Sequence, residues 1–393
     1  MKFNKLVLPA LTALALASIQ IAAVAQAAVP TLGADIKGLT VYGKTYVTSG
    51  ASSIIRGNVF SGDVLTTGDS AAVLGYIKSV GASNVGGGTA SVGSFMESGG
   101  VATVGAGGNI GTYIKSSGAA TIGANALVGT DMTSGGIATT GDSAWVMGKI
   151  VSGGYASIGA NSHVVGTVYG VGATVMGAGG AMGGTGSAPT SPLIPVAYTS
   201  SLVSIGSTDA SQVTAAQSGF SALGMGTALS TTMPTSMTLT GGGVFSAANF
   251  STTASMTLTL DDQNVRHDWV FNITDYLVTG ASSKVVMSNA NSGSTLTWNV
   301  GSGYASLGAS SNFMGTILAK TYIAVGASTV VSGFNSSCGI YSATSYVSTG
   351  ASADIGGGCV VPVTPVPEPE GYAMLLAGLI SIAFISRRRK AAK

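Results

Sequence analysis

The chain has 393 residues, of which 46% are hydrophobic, 8% charged and 7% aromatic, and 60 are glycine. That balance excludes a polar disordered linker, which would lack the apolar residues needed to bury a core. The formal net charge of +2 is concentrated at the ends, with five of the 16 Lys and Arg in the last seven residues and two in the first five. The body is therefore mildly acidic, which excludes the basic footprint of a nucleic-acid binder.

Taken from the start, Lys2 and Lys5 precede an apolar run from Leu6 to Leu16, and Ala25-Gln26-Ala27 offers small residues for cleavage before Ala28. Residues 1–27 read as a Sec signal peptide, so the mature chain is expected outside the cytoplasm. From 28 to 184 the sequence repeats. Leu74, Val92, Ile110, Val128, Val146, Val164 and Met182 stand 18 residues apart. Met96, Ile114, Met132, Ile150 and Val168 form a second column, and Ala102, Ala120, Ala138 and Ala156 a third. An amphipathic helix repeats every three or four residues, whereas one long step with local alternation fits one coil of a β-solenoid. Stacked coils bury a continuous apolar column that a single coil cannot bury alone. Glycines such as Gly93, Gly111 and Gly129 are expected to supply positive φ at the corners.

Beside the alanines runs a hydroxyl column, Thr103, Thr121, Thr139 and Ser157, with Thr66 and Thr174 near the same phase. Side chains alternate across a strand, so these hydroxyls are expected opposite the inward alanines, in a straight row on one flat outer face. Threonine also simply suits exposed strands, and spacing alone does not separate the two readings.

Residues 185–225 read as a cap loop, with Pro189, Pro192 and Pro195, followed by a helix. Asp209-Ala210-Ser211-Gln212 has the form of a capping box, and Val213, Ala216, Phe220 and Leu223 fall on one helical face. A helix of about four turns packed along the solenoid is expected there. Strands resume over 226–356, where Gly303–Ile317 repeats Gly154–Val168 with nine of fifteen positions identical. The expected fold is thus all-β, a β-solenoid of roughly 18-residue coils with one α-helix alongside. Cys338 and Cys359 are the two cysteines; an exported chain favours their pairing as a disulfide over a metal site.

Residues 357–370 form a Gly/Pro/Val linker that contains Pro367-Glu368-Pro369, and 371–393 an apolar run with a basic end, Arg387-Arg388-Arg389-Lys390. The run is short for a membrane span, and its basic flank would hold the C-terminus in the cytoplasm. This tripartite tail resembles the PEP-CTERM sorting signal. The resemblance implies transient anchoring in the inner membrane, processing by an exosortase and delivery to the cell surface or extracellular matrix.

The order of coils, helix and further coils resembles the ice-binding-like adhesin family of microbial β-solenoid proteins. The residues that carry it include Thr240-Gly241-Gly242-Gly243-Val244-Phe245-Ser246, Asp268-Trp269-Val270-Phe271-Asn272-Ile273 and Leu296-Thr297-Trp298-Asn299-Val300-Gly301. Phe313-Met314-Gly315-Thr316-Ile317-Leu318-Ala319 continues it. The similarity is good over about 196–355 and looser before that, where the long 18-residue array is more like bactofilin-type solenoids. The stretch before Trp298, Asn289 to Ser294, departs from the family's small apolar run. Many members bind ice through a flat face of small side chains, and others show no clear need to.

Catalysis finds little support. His163 and His267 are the two histidines, and no nucleophile elbow, zinc-spaced set or Walker loop accompanies them. Asp261, Asp262 and Asp268 read as a solvated acidic turn ahead of a calcium site. No enzyme activity, metal or cofactor is expected. Two functions remain: an ice-binding adhesin acting through Thr66, Thr103, Thr121, Thr139, Ser157 and Thr174, or an adhesive protein of the exopolysaccharide or biofilm matrix. In the second, Tyr113 and Tyr155 would touch polysaccharide or neighbouring copies. Ile137 and Tyr155, two residues before Thr139 and Ser157, are expected to roughen the row.

Overall fold

A computed structural model describes residues 30–186, 196–335 and 338–358. One coil illustrates the rest. Ala120–Ile122 lies on what we term the second face, Leu127–Val128 on the third and Met132–Ser134 on the first, before Ala138–Thr140 returns to the second. Ala120, Ile122, Val128 and Met132 point inward and are fully buried. Each pairs in parallel with its counterpart one coil away, as Met132 does with Ile114 and Ile150. The second face is a 14-stranded sheet. The first and third merge into a 27-stranded sheet, because His163–Gly170 turns their common corner, pairing with Trp145 and then with Ile150.

The stack does not follow chain order. Residues 41–55 are sandwiched between the second coil and the last: Val41 pairs with both Val59 and Ile340, Val47 with Leu65 and Val347, and Ile54 with Ala72 and Asp354. The two solenoid stretches are therefore one continuous solenoid, with the chain's first coil seated on its last. Arg56 and Asp354 pair across this joint at 2.7 Å. Tyr341, fully buried, donates its hydroxyl to the carbonyl of Leu39 at 2.6 Å.

The helix α2 spans Val196–Ser221, 26 residues, or about 39 Å at 1.5 Å per residue. It starts well before the expected capping box, so Asp209 lies mid-helix. Upstream residues are recruited by packing: Leu202 is buried and Ile205 packs on the same cluster as Val213, Ala216 and Phe220. That spacing of three and four forms one apolar stripe, seated on Tyr42, Phe60, Val270, Leu318 and Tyr341 of the first face. Tyr42 donates to the carbonyl of Gly206 at 2.9 Å, and Gln217 Nε2 donates to that of Val300 at 2.9 Å. The helix thus bridges both sides of the joint. A second helix, α1, is four residues long, Ala34–Lys37.

Two expectations about the coils need correction. Leu74 is 54% exposed, and Val73 pairs with Val92 in its place. One extra residue in the Gly87–Ala90 corner shifts the phase there. The left-handed corner position is mostly held by Ser or Asn, as at Ser70, Asn125, Ser143 and Asn161 with φ of 54–57°. Short polar side chains tolerate that region. Gly93, Gly111 and Gly129 have no positive φ, nor do the glycines two residues before these corners, and all of them serve close approach instead. At Gly123 an added Cβ would lie 2.5 Å from the backbone nitrogen of Ala106.

Candidate functional site: the second face

On the second face Ala102 and Val104, Ala120 and Ile122, Ala138 and Thr140, and Ala156 and Ile158 are buried, so the residue between each pair faces out. The register aligns Thr48, Thr66, Asn84, Thr103, Thr121, Thr139 and Ser157 directly one above another. Below the joint the row continues through Ser348, Ala324, Ser306, Val278, Ser251 and Thr232. At the usual inter-strand spacing, 14 strands make a face about 60 Å long. The row contains no charged side chain.

Five of the six anticipated positions, Thr66, Thr103, Thr121, Thr139 and Ser157, fall in this row. Thr174 does not. It pairs with Ala156, the inward position, and Val175 takes the place beside Ser157. Thr48, Asn84 and the whole lower half were not anticipated. Asn84 fills the gap between Thr66 and Thr103 that the 19-residue step opens.

The column two residues earlier decides how flat the face is. Below and at the joint it is a ladder of tyrosines, Tyr276, Tyr304, Tyr322, Tyr346 and Tyr46, with neighbouring ring centroids 4.5–5.8 Å apart and nearly parallel planes. Their faces are occupied by one another, so edges and hydroxyls stand up beside the small residues of the row. Above the joint the ladder ends. Val64, Ala82, Val101, Ala119 and Ile137 take its place before Tyr155, which is 46% exposed. Thr66, Asn84, Thr103, Thr121 and Thr139 therefore stand on a stretch about 19 Å long at sheet spacing, edged on one side by aliphatic side chains and on the other by glycines, with exposed Asp69 and Asp142 at the corner beyond. Ile137 belongs to that aliphatic edge, whereas Tyr155 ends it.

A second column holds this surface in place. Ser79, Ser98, Ser116, Ser134 and Ser152 are fully buried at the corner leading into the second face. Ser98 Oγ donates to the carbonyl of Val101 at 3.0 Å, Ser116 to that of Ala119 at 3.1 Å and Ser152 to that of Tyr155 at 3.0 Å. These three hydroxyls thus fix the backbone of the flanking column, while Ser79 and Ser134 donate to the Gly81 and Gly136 carbonyls beside it, each at 3.0 Å. The serines recur with nearly the same step as the alanines, and that periodicity was the signal available to find them.

Other candidate groups have structural partners. Asp262 is buried and accepts from Trp269 Nε1 at 2.7 Å and from the Asn291 amide at 2.9 Å. Asp261 accepts from Asn289 Nδ2 and the Gln263 amide, which hold its carboxyl below the ordinary range. Asp268 accepts from Thr295 Oγ1 at 2.6 Å. The ring of His163 stacks on Trp145 at 4.3 Å. Tyr113 stacks on Phe95 and donates to Glu97 at 2.9 Å, away from the second face. Among the described residues no three His, Cys, Asp or Glu are grouped to hold a metal, and no helix is long and apolar enough to cross a membrane. Cys338 is disulfide-bonded. Cys359, Pro367, Glu368, Pro369 and Arg387, Arg388 and Arg389 lie outside the described residues, as do the signal peptide and the apolar tail.

No curated protein matches the chain. Among solved structures it is similar to an ice-binding protein from the Antarctic ascomycete Antarctomyces psychrotrophicus, with 15% identity, a TM-score of 0.38 and coverage of 83% of this chain and 97% of that one. A domain of Shewanella frigidimarina ice-binding protein 1 shows 18% identity and a TM-score of 0.34 over 58% and 92% of the two chains. An ice-binding protein from an Antarctic bacterium of the Flavobacteriaceae shows 14% identity and a TM-score of 0.30 over 85% and 100%. Residues 194–348 match the family model described as ice-binding-like. That segment runs from α2 through most of the lower solenoid.

Proposed function

We propose that this protein binds ice, and that the contact surface is the second face, centred on Thr66, Asn84, Thr103, Thr121 and Thr139. The observation that carries the reading is the register: these side chains are aligned coil by coil in an uncharged row with aliphatic residues on one side and glycines on the other. Small hydroxyls at a fixed spacing make many weak contacts with ordered water. Because the backbone beneath them is held by parallel pairing and by the buried serines, little backbone entropy is lost on binding. The tyrosine-edged half carries the same row beside a raised ladder, which keeps a flat crystal surface away from its small residues.

The finer setting belongs to the same proposal and is supported by the terminal sequences. The chain is exported through its signal peptide, held transiently in the inner membrane by its apolar tail, processed by an exosortase at Pro367-Glu368-Pro369, and displayed at the cell surface as an adhesin. A role in an exopolysaccharide matrix without ice affinity is the competing account. The test is uptake of the purified protein into a slowly growing ice hemisphere, with a double variant, Thr121→Tyr/Thr139→Tyr, beside it. Uptake by the native protein and its loss in the variant support the proposal. Exclusion of a well-folded native protein from ice overturns it and leaves the matrix role.

A further inference from the structure

α2 packs on the first face mainly through apolar side chains; of its two buried polar ones, Gln217 is hydrogen-bonded to Val300 and the other, Asp209, is not so satisfied. Asp209, in the middle of the helix, is 1% exposed, and its Oδ1 is buried without a hydrogen-bond partner. The residue lines a cavity of about 300 Å³ together with Asp35 of α1 and Tyr76 and Lys78 of the first face. The groups around it do little to stabilise a charge there. Asp35, across the same cavity, accepts from Gln212 Nε2 at 2.7 Å. Lys78 Nζ is held by Glu97 at 3.2 Å and lies over the rings of Tyr76 and Phe95. The hydroxyl of Tyr42 is committed to the carbonyl of Gly206.

A buried carboxyl without a donor is tolerated as the neutral acid and opposed as the anion. Burial, then repulsion from Asp35, pushes the Asp209 carboxyl up from 3.8 to about 6, against a smaller pull from Lys78. We propose that α2 is a pH-sensitive staple across the solenoid's joint, docked firmly while Asp209 holds its proton and loosened when that proton leaves. The position of the helix gives the device its reach, since Gly206 is bonded to the first coil and Gln217 to a coil on the far side of the joint.

The direction follows from linkage. A carboxyl whose pKa is higher in the docked state than in the undocked one favours docking fully below its ordinary value of 3.8. That advantage disappears as pH rises through the docked value near 6. A difference of this size corresponds to a change in the docking equilibrium on the order of a hundredfold.

Hydrogen exchange of the purified protein, corrected for the intrinsic pH dependence of exchange, tests this on peptides covering 202–221. Protection in α2 is expected to fall on the order of a hundredfold between about pH 4 and pH 7, while coils 102–140 stay unchanged. Asp209→Asn keeps the shape and removes the charge, so its helix is expected to hold the same protection throughout. Asp35→Asn is expected to move the native midpoint to lower pH. A native helix whose protection does not change with pH overturns the proposal. So does an Asp209→Asn helix that loses protection in parallel with the native one, or a midpoint that rises in Asp35→Asn.

Discussion

Replacing Gly123 by alanine tests whether the corner glycines are there for contact rather than for backbone freedom. An added Cβ would sit 2.5 Å from the Ala106 nitrogen, 2.7 Å from the Gly105 carbonyl carbon and 2.8 Å from the Ala106 Cα. All three are backbone atoms of the adjacent coil, and none can swing aside as a side-chain tip would. Ordinary contact begins near 3.4 Å, so the coils must part by roughly 1 Å at this corner, and they are held there by the 2.8 Å bond from Gly123 N to the Val104 carbonyl. Overpacking of this kind costs about 1–3 kcal/mol, and weakening the adjacent hydrogen bond adds about 1 kcal/mol. The net expectation is a loss of about 2–4 kcal/mol, read as a lower urea midpoint, with hydrogen exchange accelerated in coils 102–140. Gly184→Ala is the control, because its Cβ would meet nothing within 4 Å; it should change stability by no more than about 0.5 kcal/mol. If the two variants were equally stable, the close-approach argument would be wrong.

At the left-handed corner the opposite behaviour is expected. Asn125, with φ of 57°, should accept glycine with little change, whereas Asn125→Ala should lose about 1 kcal/mol by urea denaturation. Trp298 is fully buried, stacks on Phe271 at 4.0 Å and donates Nε1 to the Met314 carbonyl at 2.9 Å; Trp298→Ala should cost about 3–5 kcal/mol in the same assay. Arg56→Ala should cost less than about 1 kcal/mol although it spans the joint, because its ion pair with Asp354 is solvent-screened. Tyr341→Phe, which strips a buried hydroxyl bonded to the Leu39 and Cys338 carbonyls, should cost about 1–2 kcal/mol and lower protection of residues 39–43.

What the sequence made legible was whatever repeats within neighbouring coils. The Met96–Val168 column and the Thr103–Ser157 row could be read because each coil restates the same inward and outward alternation. Leu74 was misassigned because a strict step of 18 cannot register the one extra residue between Gly87 and Ala90. Asp209 was misread as a helix cap because Asp and Ser favour that position locally, while the apolar stripe through Leu202 and Ile205 carries the helix past it. The joint was invisible for a different reason. Thr48 and Ser348 lie side by side in the row, yet nothing local links the first coil to the last. The last rung of the tyrosine ladder was hidden with it, since Tyr46 meets Tyr346 only across that joint, while the lower rungs, Tyr276, Tyr304, Tyr322 and Tyr346, recur at steps too uneven to show as a period.

Ice uptake measured along the row tests the central claim most directly. Single tyrosines placed at Thr121, in the aliphatic-edged stretch, and at Ser306, beside the existing ladder, should separate the two halves of the face. The account predicts strong uptake by the native protein, a loss of at least several-fold in Thr121→Tyr and little change in Ser306→Tyr. Undiminished uptake by a folded Thr121→Tyr protein, or no uptake by the native one, would contradict it.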